Sequence, residues 1–267
     1  MNPDFVQLMM KRVTQAELVS EINRLRHATH GELRSNYFFP RLRATELPVW
    51  STAASLIFLD REHDFHRLYF LSREVSDLTQ LLATVTTRPL VADYITSRND
   101  HEPIDAAFGA AGFTKMAVYW RMTNKDHPRR KARGPIAYAE VAEADALFDS
   151  LCHDFDPRLD HLPDREAFRA LVGQRHAIVH RSNGEIDAYL IFQLHGRKAH
   201  PNYWYSRPGN HPGVALKVYD DFFADVATRG VQTSYLWVES RKTVEISVYE
   251  RFGYARDGLV THTYVNA

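Results

Sequence analysis

The sequence predicts a mixed α and β protein in two halves, each a mostly antiparallel twisted sheet flanked by helices. Three observations carry that prediction. Short β-rich runs alternate along the chain with stretches whose apolar residues recur at i+3 and i+4. A polar, basic run, TNKDHPRRKARG at 123–134, divides the 267 residues almost in half. A helix ending in glycine and an aromatic occurs once in each half, FGAAGF at 108–113 and YERFGY at 249–254, and suggests an internal duplication.

Composition narrows the class. With 45% hydrophobic and 25% charged residues the chain is globular, which excludes a disordered or fibrous protein. Lys+Arg and Asp+Glu both total 33, so a general nucleic-acid or membrane-surface binder has no excess of charge to rest on. Cys152 is the single cysteine and cannot pair within the chain, so nothing asks for an oxidising compartment. The apolar N-terminal stretch is broken by Gln7 and ends at Lys11, short of a signal peptide, and no run reaches the roughly 18 apolar residues of a membrane span. A soluble, cytoplasmic protein is the expectation.

In the first half, 53–60 and 67–72 read as a strand pair, 77–84 as a short helix and 90–96 as a strand. A helix over 103–111 is ended by Gly112 and Phe113, and 115–122 is a strand. The expected organisation is a domain over 1–126, a basic linker over 127–134 and a second domain over 135–267.

The second half opens with a strand-like run at 135–141 and a helix at 142–151, where Leu147, Phe148 and Leu151 share a face. Asp164 can cap a helix over 164–172 whose stripe is Phe168, Leu171 and Val172. Two β-rich runs, 176–180 and 186–194, flank Ser182, Asn183 and Gly184, and Asn-Gly between such runs is a hairpin turn because both residues tolerate positive φ. A strand at 202–206 precedes an amphipathic helix over 214–229 carrying Ala215, Tyr219, Phe222, Phe223 and Val226. A strand at 231–239, a helix at 243–252 with Val244, Val248 and Phe252 on one stripe, and a strand at 258–265 complete the order.

Chemistry concentrates in two places. YSRPGNHPGVA at 205–215 joins a strand to a helix, where unpaired N–H groups and the positive end of the helix dipole favour an anion and Gly213 lets the backbone approach it. The same residues also read as a plain connecting turn. Tyr249 stands on the last helix, and a phenol with pKa near ~10 can donate a proton to a thiolate whose parent thiol lies near ~8.5. A lone tyrosine on an amphipathic helix also reads as core. Metal readings are poor: His27 and His30, and His63 and His66, are spaced for one helical face but lack cysteine or acidic partners at a zinc interval.

Together these features resemble the GNAT acyltransferase superfamily, and the likeness spans 135–267. The family's pyrophosphate loop reads Gln or Arg, two residues, Gly, one residue, then Gly or Ala; Asn210, His211, Pro212, Gly213, Val214 and Ala215 match it at both small positions. Asn210 replaces the usual Gln or Arg, and Pro212 removes one N–H from the cradle. The helix ending in Tyr, three residues, Gly and an aromatic matches Tyr249 to Gly253 and Tyr254, whereas Lys242 replaces the asparagine that often begins it.

The resemblance implies an acetyl-CoA or other acyl-CoA co-substrate, no metal, and direct attack on the thioester by an amine of a small molecule or peptide. It implies a sheet that splays between the strands at 202–206 and 231–239, with backbone groups of Tyr203, Trp204, Tyr205 and Ser206 holding the pantetheine arm. Diphosphate would lie on Gly213, Val214 and Ala215, with Asn210 and His211 in the same loop. Tyr249 would be the general acid, with Glu245 one turn earlier on its face. Glu239, at the end of its strand, is the first candidate for the base, ahead of His195 and His200. Phe108 stands where Tyr249 stands and no glycine-bearing loop lies between Ser72 and Asp77, so the first half reads as a degenerate, non-catalytic copy. Two alternatives remain: a donor carried by an acyl carrier protein or an aminoacyl-tRNA, and a binding or regulatory pseudoenzyme.

Overall fold

The computed structural model describes residues 10–36, 42, 44–97, 101–127 and 134–267. They form two compact units, one of Met1–Val118 with Leu259–Ala267 and one of Tyr119–Gly258. In chain order the elements are β1 (Lys11–Thr14), α1 (Gln15–His27), β2 (Arg34–Ser35), β3 (Glu46–Ser51), β4 (Ser55–Glu62), β5 (Phe65–Ser72), α2 (Val75–Thr84), β6 (Leu90–Thr96), α3 (Glu102–Ala110) and β7 (Thr114–Asn124). Then come α4 (Ala144–Asp154), α5 (Pro157–Asp160), α6 (Arg165–Gly173), β8 (Ala177–Ser182), β9 (Glu185–His195), β10 (Lys198–Ser206), α7 (Pro212–Thr228), β11 (Thr233–Glu239), α8 (Thr243–Arg251) and β12 (Ala255–Asn266). No helix among the described residues is long and apolar enough to cross a membrane.

The first unit has strand order β1-β3-β4-β5-β6-β12. Its neighbours are antiparallel except β5 and β6, which run parallel and pair only at His66↔Leu90 and Arg67↔Val91. Past that point side chains tie the two strands together: Arg67 Nη1 lies 2.6 Å from Asp93 Oδ2, and the rings of Phe70 and Tyr94 are 5.9 Å apart. One side of the sheet is covered by α2 and α3 through Leu78, Leu81, Leu82, Ile104 and Phe108. The other side is covered by α1, a helix not expected from the sequence. Thr14 and Glu17 form a capping box at its start, and Leu18, Ile22 and Leu25 are its buried face.

The second unit has strand order β7-β11-β10-β9-β8, with only β10 and β11 parallel. Asn183 and Gly184 take φ of 52° and 84°, the pair of positive values a two-residue hairpin needs, so β8 and β9 join as expected. α7 packs Tyr219, Phe222 and Phe223 on one face of this sheet, and α4 and α6 pack Phe148, Leu151 and Phe168 on the other. Asp164 caps α6 by accepting the N–H of Ala167 at 2.7 Å.

Several expectations change. The strand expected at 135–141 is a single bridge, Tyr138↔Ile178, followed by one 3-10 turn at Val141–Glu143. β10 begins at Lys198 rather than Asn202, because Pro201 sits beside a bulge, where the register to β9 shifts between Pro201 and Tyr203 and a missing N–H is tolerated. The division between the units falls inside two strands rather than at the basic run. β7 pairs with β11 from Tyr119 onward, and β12 pairs with β6 from Val260 onward. Composition marks loops, whereas strand pairing depends on partners more than a hundred residues away. Residues 128–133 of the basic run lie outside the described residues.

The duplicated hexamer folds the same way twice. Phe113 N–H donates to Phe108 O at 3.0 Å and Tyr254 N–H to Tyr249 O at 3.0 Å, with Gly112 and Gly253 at φ of 83° and 90°. Both helices therefore end in a Schellman-type turn, which requires a left-handed residue.

Candidate active site

β10 and β11 pair only at Lys198↔Thr233 and Ala199↔Ser234 and then part. β10 keeps β9 on one edge as far as Ser206↔Ala188. Its other edge over Tyr203, Trp204, Tyr205 and Ser206 has no strand partner among the described residues, leaving a row of backbone groups for an extended ligand.

The bulge at Asn202 sets which side chains face which helix. Trp204 turns to α7 and α8: its indole N–H donates to Ala215 O at 3.2 Å, and its ring lies 5.0 Å from Tyr219 and 5.6 Å from Tyr249. Tyr203 and Tyr205 turn the other way. The Tyr203 hydroxyl donates to His161 O at 2.8 Å, and Tyr205 stacks on Tyr189 at 5.2 Å. Of the four residues expected along the arm, only Trp204 brings its side chain to Tyr249.

Tyr249 belongs to a group of three phenols. The Tyr219 hydroxyl donates to the Tyr254 hydroxyl at 3.2 Å, Tyr254 Oη lies 2.7 Å from Ser234 Oγ, and Ser234 Oγ lies 2.8 Å from His127 Nε2. The Tyr249 ring is 5.9 Å from Tyr219 and 6.0 Å from Tyr254, yet its hydroxyl has no hydrogen-bond partner among the described residues. Burial, then the neighbouring Tyr254 and Glu245, push its pKa above the usual phenol value. Tyr249 therefore holds its proton. A thiolate formed in the same surroundings would be raised in proton affinity for the same reason.

The loop before α7 is more self-contained than the sequence suggests. Asn210 turns inward, donating to Asp187 O at 3.0 Å and Ser206 Oγ at 3.3 Å, so its amide pins the loop to β9 and β10. His211 is the N-cap of α7: its Nδ1 accepts the Gly213 N–H at 3.0 Å, and its carbonyl accepts the Val214 N–H at 2.9 Å. Two of the three N–H groups expected for diphosphate are thus engaged, and Pro212 has none. A Cβ at Gly213 would lie 3.0 Å from His211 Nδ1, so any side chain there would crowd the ring. Ala215 contributes its carbonyl to Trp204, and Val214 packs on the core of the unit.

Glu239 ends β11 with its carboxylate tied to Arg241, whose Nε donates at 2.6 Å. Glu245 is partly buried in the first turn of α8. His200 and Tyr235 are the first residues beyond the last paired position, and their rings stack 4.4 Å apart. Burial, reinforced by His195 and His161, pushes His200 down to about 3, which leaves it neutral near pH 7. The sequence reading missed Tyr219, Ser234, Tyr254 and His127 as a connected set. The available signal was Ser234, a hydroxyl in an inward alternation with Leu236 and Val238. No group of three or more His, Cys, Asp or Glu among the described residues is arranged to hold a metal ion.

No protein-family profile matches the sequence, and no curated protein matches it. Solved structures do match in fold. A GCN5-related N-acetyltransferase from Sphaerobacter thermophilus superposes with TM-score 0.56 at 13% identity, over 82% of this chain and 80% of that one. A tandem GNAT protein from the clavulanic acid biosynthesis pathway gives TM-score 0.56 at 13% identity over 97% and 98% of the two chains. A GCN5-related N-acetyltransferase from Kribbella flavida gives 0.54 at 13% identity over 94% and 95%. The chain has the GNAT fold in its tandem form.

Proposed function

We propose that the unit of Tyr119–Gly258 is an N-acyltransferase that moves an acetyl or other acyl group from a coenzyme A thioester to an amine. One observation carries this reading. Where β10 leaves β11, an unpaired strand edge lies beside Tyr249, the one phenol of its cluster whose hydroxyl is not already engaged within the described residues. The GNAT fold of the solved relatives supports it.

In the reaction the neutral acceptor nitrogen attacks the thioester carbonyl, the carbon–sulfur bond breaks and the sulfur keeps the electron pair. Tyr249 then gives its proton to that sulfur. The arm would lie as an added strand against Tyr203, Trp204, Tyr205 and Ser206. Glu239 would accept the proton from the amine, directly or through water, on loosening its tie to Arg241. For a diphosphate to reach the Gly213 N–H the His211 ring must turn aside, after which the N-terminus of α7 is a site for the anion. The acceptor would be a small-molecule or peptide amine.

The test is release of coenzyme A from acetyl-CoA that depends on an added amine, compared between the wild type and Tyr249→Phe. A loss of roughly 10²-fold in turnover with folding intact is expected for removal of a general acid. Unchanged turnover would take Tyr249 out of the mechanism. A second reading is favoured by His211: with its ring on the Gly213 N–H, a donor lacking the nucleotide, phosphopantetheine on a carrier protein, needs no rearrangement. Binding of a carrier protein together with no binding of coenzyme A would select it. In either case the first unit is a non-catalytic copy, since Phe108 takes the place of Tyr249 and is fully buried against Tyr264.

A further inference from the structure

We propose, resting on the acyltransferase reading, that the wedge between β10 and β11 admits only short acyl groups, and that His200 and Tyr235 set the limit. The direction of the donor follows from two points of that reading. Its diphosphate end lies at the start of α7, beyond the C-terminal end of β10, and its sulfur lies at Tyr249. The acyl group then continues from Tyr249 away from α7, toward the place where the strands meet.

That place is closed on three sides. At its floor Ala199 and Ser234 are the last paired residues, and both are buried. On the helix side, Ser234 Oγ and Tyr254 Oη are joined at 2.7 Å, and the Tyr254 ring is 6.0 Å from Tyr249. On the opposite side, the rings of His200 and Tyr235 stack across the gap at 4.4 Å and an interplanar angle of 19°. The guanidinium of Arg121 lies over the same tyrosine, 5.8 Å from its ring centre, and is itself bonded to Asp257 at 2.7 Å. Tyr235 is thus held from behind and cannot swing aside without breaking that arrangement. A long chain running from Tyr249 toward the floor would meet packed rings or a paired backbone.

The stack is the adjustable part of this enclosure. Ala199 and Ser234 are paired backbone, and Tyr254 is tied into a buried hydroxyl chain, whereas His200 and Tyr235 close the wedge with side chains alone. Removing the tyrosine ring should open the far side without disturbing the sites for diphosphate or proton transfer.

The experiment measures amine-dependent coenzyme A release with acetyl-, propionyl-, hexanoyl- and octanoyl-CoA. The wild type should prefer acetyl or propionyl over octanoyl by roughly 10²-fold or more in kcat/KM, the scale on which a pocket of fixed size discriminates. Tyr235→Ala should raise the hexanoyl-to-acetyl ratio at least tenfold. Tyr235→Leu is the second variant, for the case that alanine unfolds the strand, and binding of coenzyme A itself reports an intact donor site in both. A wild type that uses octanoyl as well as acetyl overturns the inference and leaves the acyltransferase standing. So does a Tyr235 variant that binds coenzyme A normally and keeps the wild-type chain-length profile. A wild type that binds no coenzyme A overturns the underlying reading and this inference with it.

Discussion

The side-chain amide of Asn124, at the end of β7, donates to the carbonyl oxygen of Phe252, at the end of α8, at 2.8 Å. Asn266 makes the same bond to Ala111 O at 2.9 Å, at the end of α3. In each case the amide nitrogen sits 3.4 Å from where a Cβ would be on the adjoining glycine, Gly253 or Gly112. The helix end that carries Tyr249 is thus fixed by a strand more than a hundred residues earlier in the chain.

Asn124→Ala should therefore cost about 1 kcal/mol of stability, since it removes a buried hydrogen bond to the helix end. Gly253→Ala should cost at least as much, because φ at 253 is 90°, a conformation that strains any residue with a Cβ. Chemical denaturation of the two variants checks both figures, and an unchanged midpoint for Asn124→Ala would show that the bond does not hold the helix end.

Tyr249→Phe and Tyr254→Phe should part company. The first removes a hydroxyl with no internal partner among the described residues, so stability should stay within about 0.5 kcal/mol while turnover falls. The second breaks the buried links to Ser234 and Tyr219 and should cost about 1–3 kcal/mol. Paired melting curves and turnover measurements separate them, and a larger stability loss at 249 than at 254 would reverse the assignment.

His211→Ala should lower stability by about 1 kcal/mol through loss of the α7 cap and yet tighten binding of coenzyme A, because the Gly213 N–H is released. Isothermal titration against coenzyme A reads the effect. Weaker binding would mean that the imidazole itself holds the anion.

One donor should bind per chain. In the first unit the edge of β5 that leaves β6 is filled, among the described residues, by β2 at Ser72 and Leu71 and by Asn36, whose amide donates to Leu68 O at 2.8 Å and accepts the Phe70 N–H at 2.6 Å. Calorimetric stoichiometry near one is the expectation, and a value near two would restore a site to that half. Arg67 is 2% exposed and also bonds Glu62 at 2.9 Å, so Arg67→Ala should destabilise by about 3–5 kcal/mol by removing the buried cation that Glu62 and Asp93 share.

Stability should fall as the solution is acidified from about pH 6.5 toward 4. Burial, with Lys115 and His101 nearby, lowers His262 to about 4, against roughly 6.5 in an unfolded chain. Between those values the unfolded state binds the extra proton, so His262 lowers the stability of the native state as pH drops through that window and adds nothing further below it. The loss is about 1.4 kcal/mol for each unit of depression, and His262→Phe should flatten the profile over this range. Denaturation midpoints at a series of pH values test it, and an identical slope in the variant would place the effect on other groups.

Local signals in the sequence were easy to read. Asn183 and Gly184 specify their hairpin, and Gly112 and Gly253 specify their helix ends, because each depends only on positive φ a residue or two away. α1 was legible too, in the Thr14 and Glu17 capping box, but its three buried residues are scattered among charged ones and give a weak stripe. The strand exchange was not legible: β12 looks the same in sequence whichever sheet it joins. In the candidate site the spacing of Trp204 and Tyr249 could not reveal their contact, since the bulge at Asn202 decides which way Trp204 faces. The His211 cap was hidden for a different reason, as histidine is not among the usual N-cap residues.

The passage of β12 into the first unit bears on how the molecule is made. β6 meets β5 at only two positions and relies for the rest on the segment from Val260 to Asn266. A ribosome finishes β6 long before it reaches that segment, so the half synthesised first must wait with one flank of its sheet bare. During that interval it is a template for the wrong strand. Chaperone dependence should therefore fall on the early half of the chain rather than on the half that carries Tyr249.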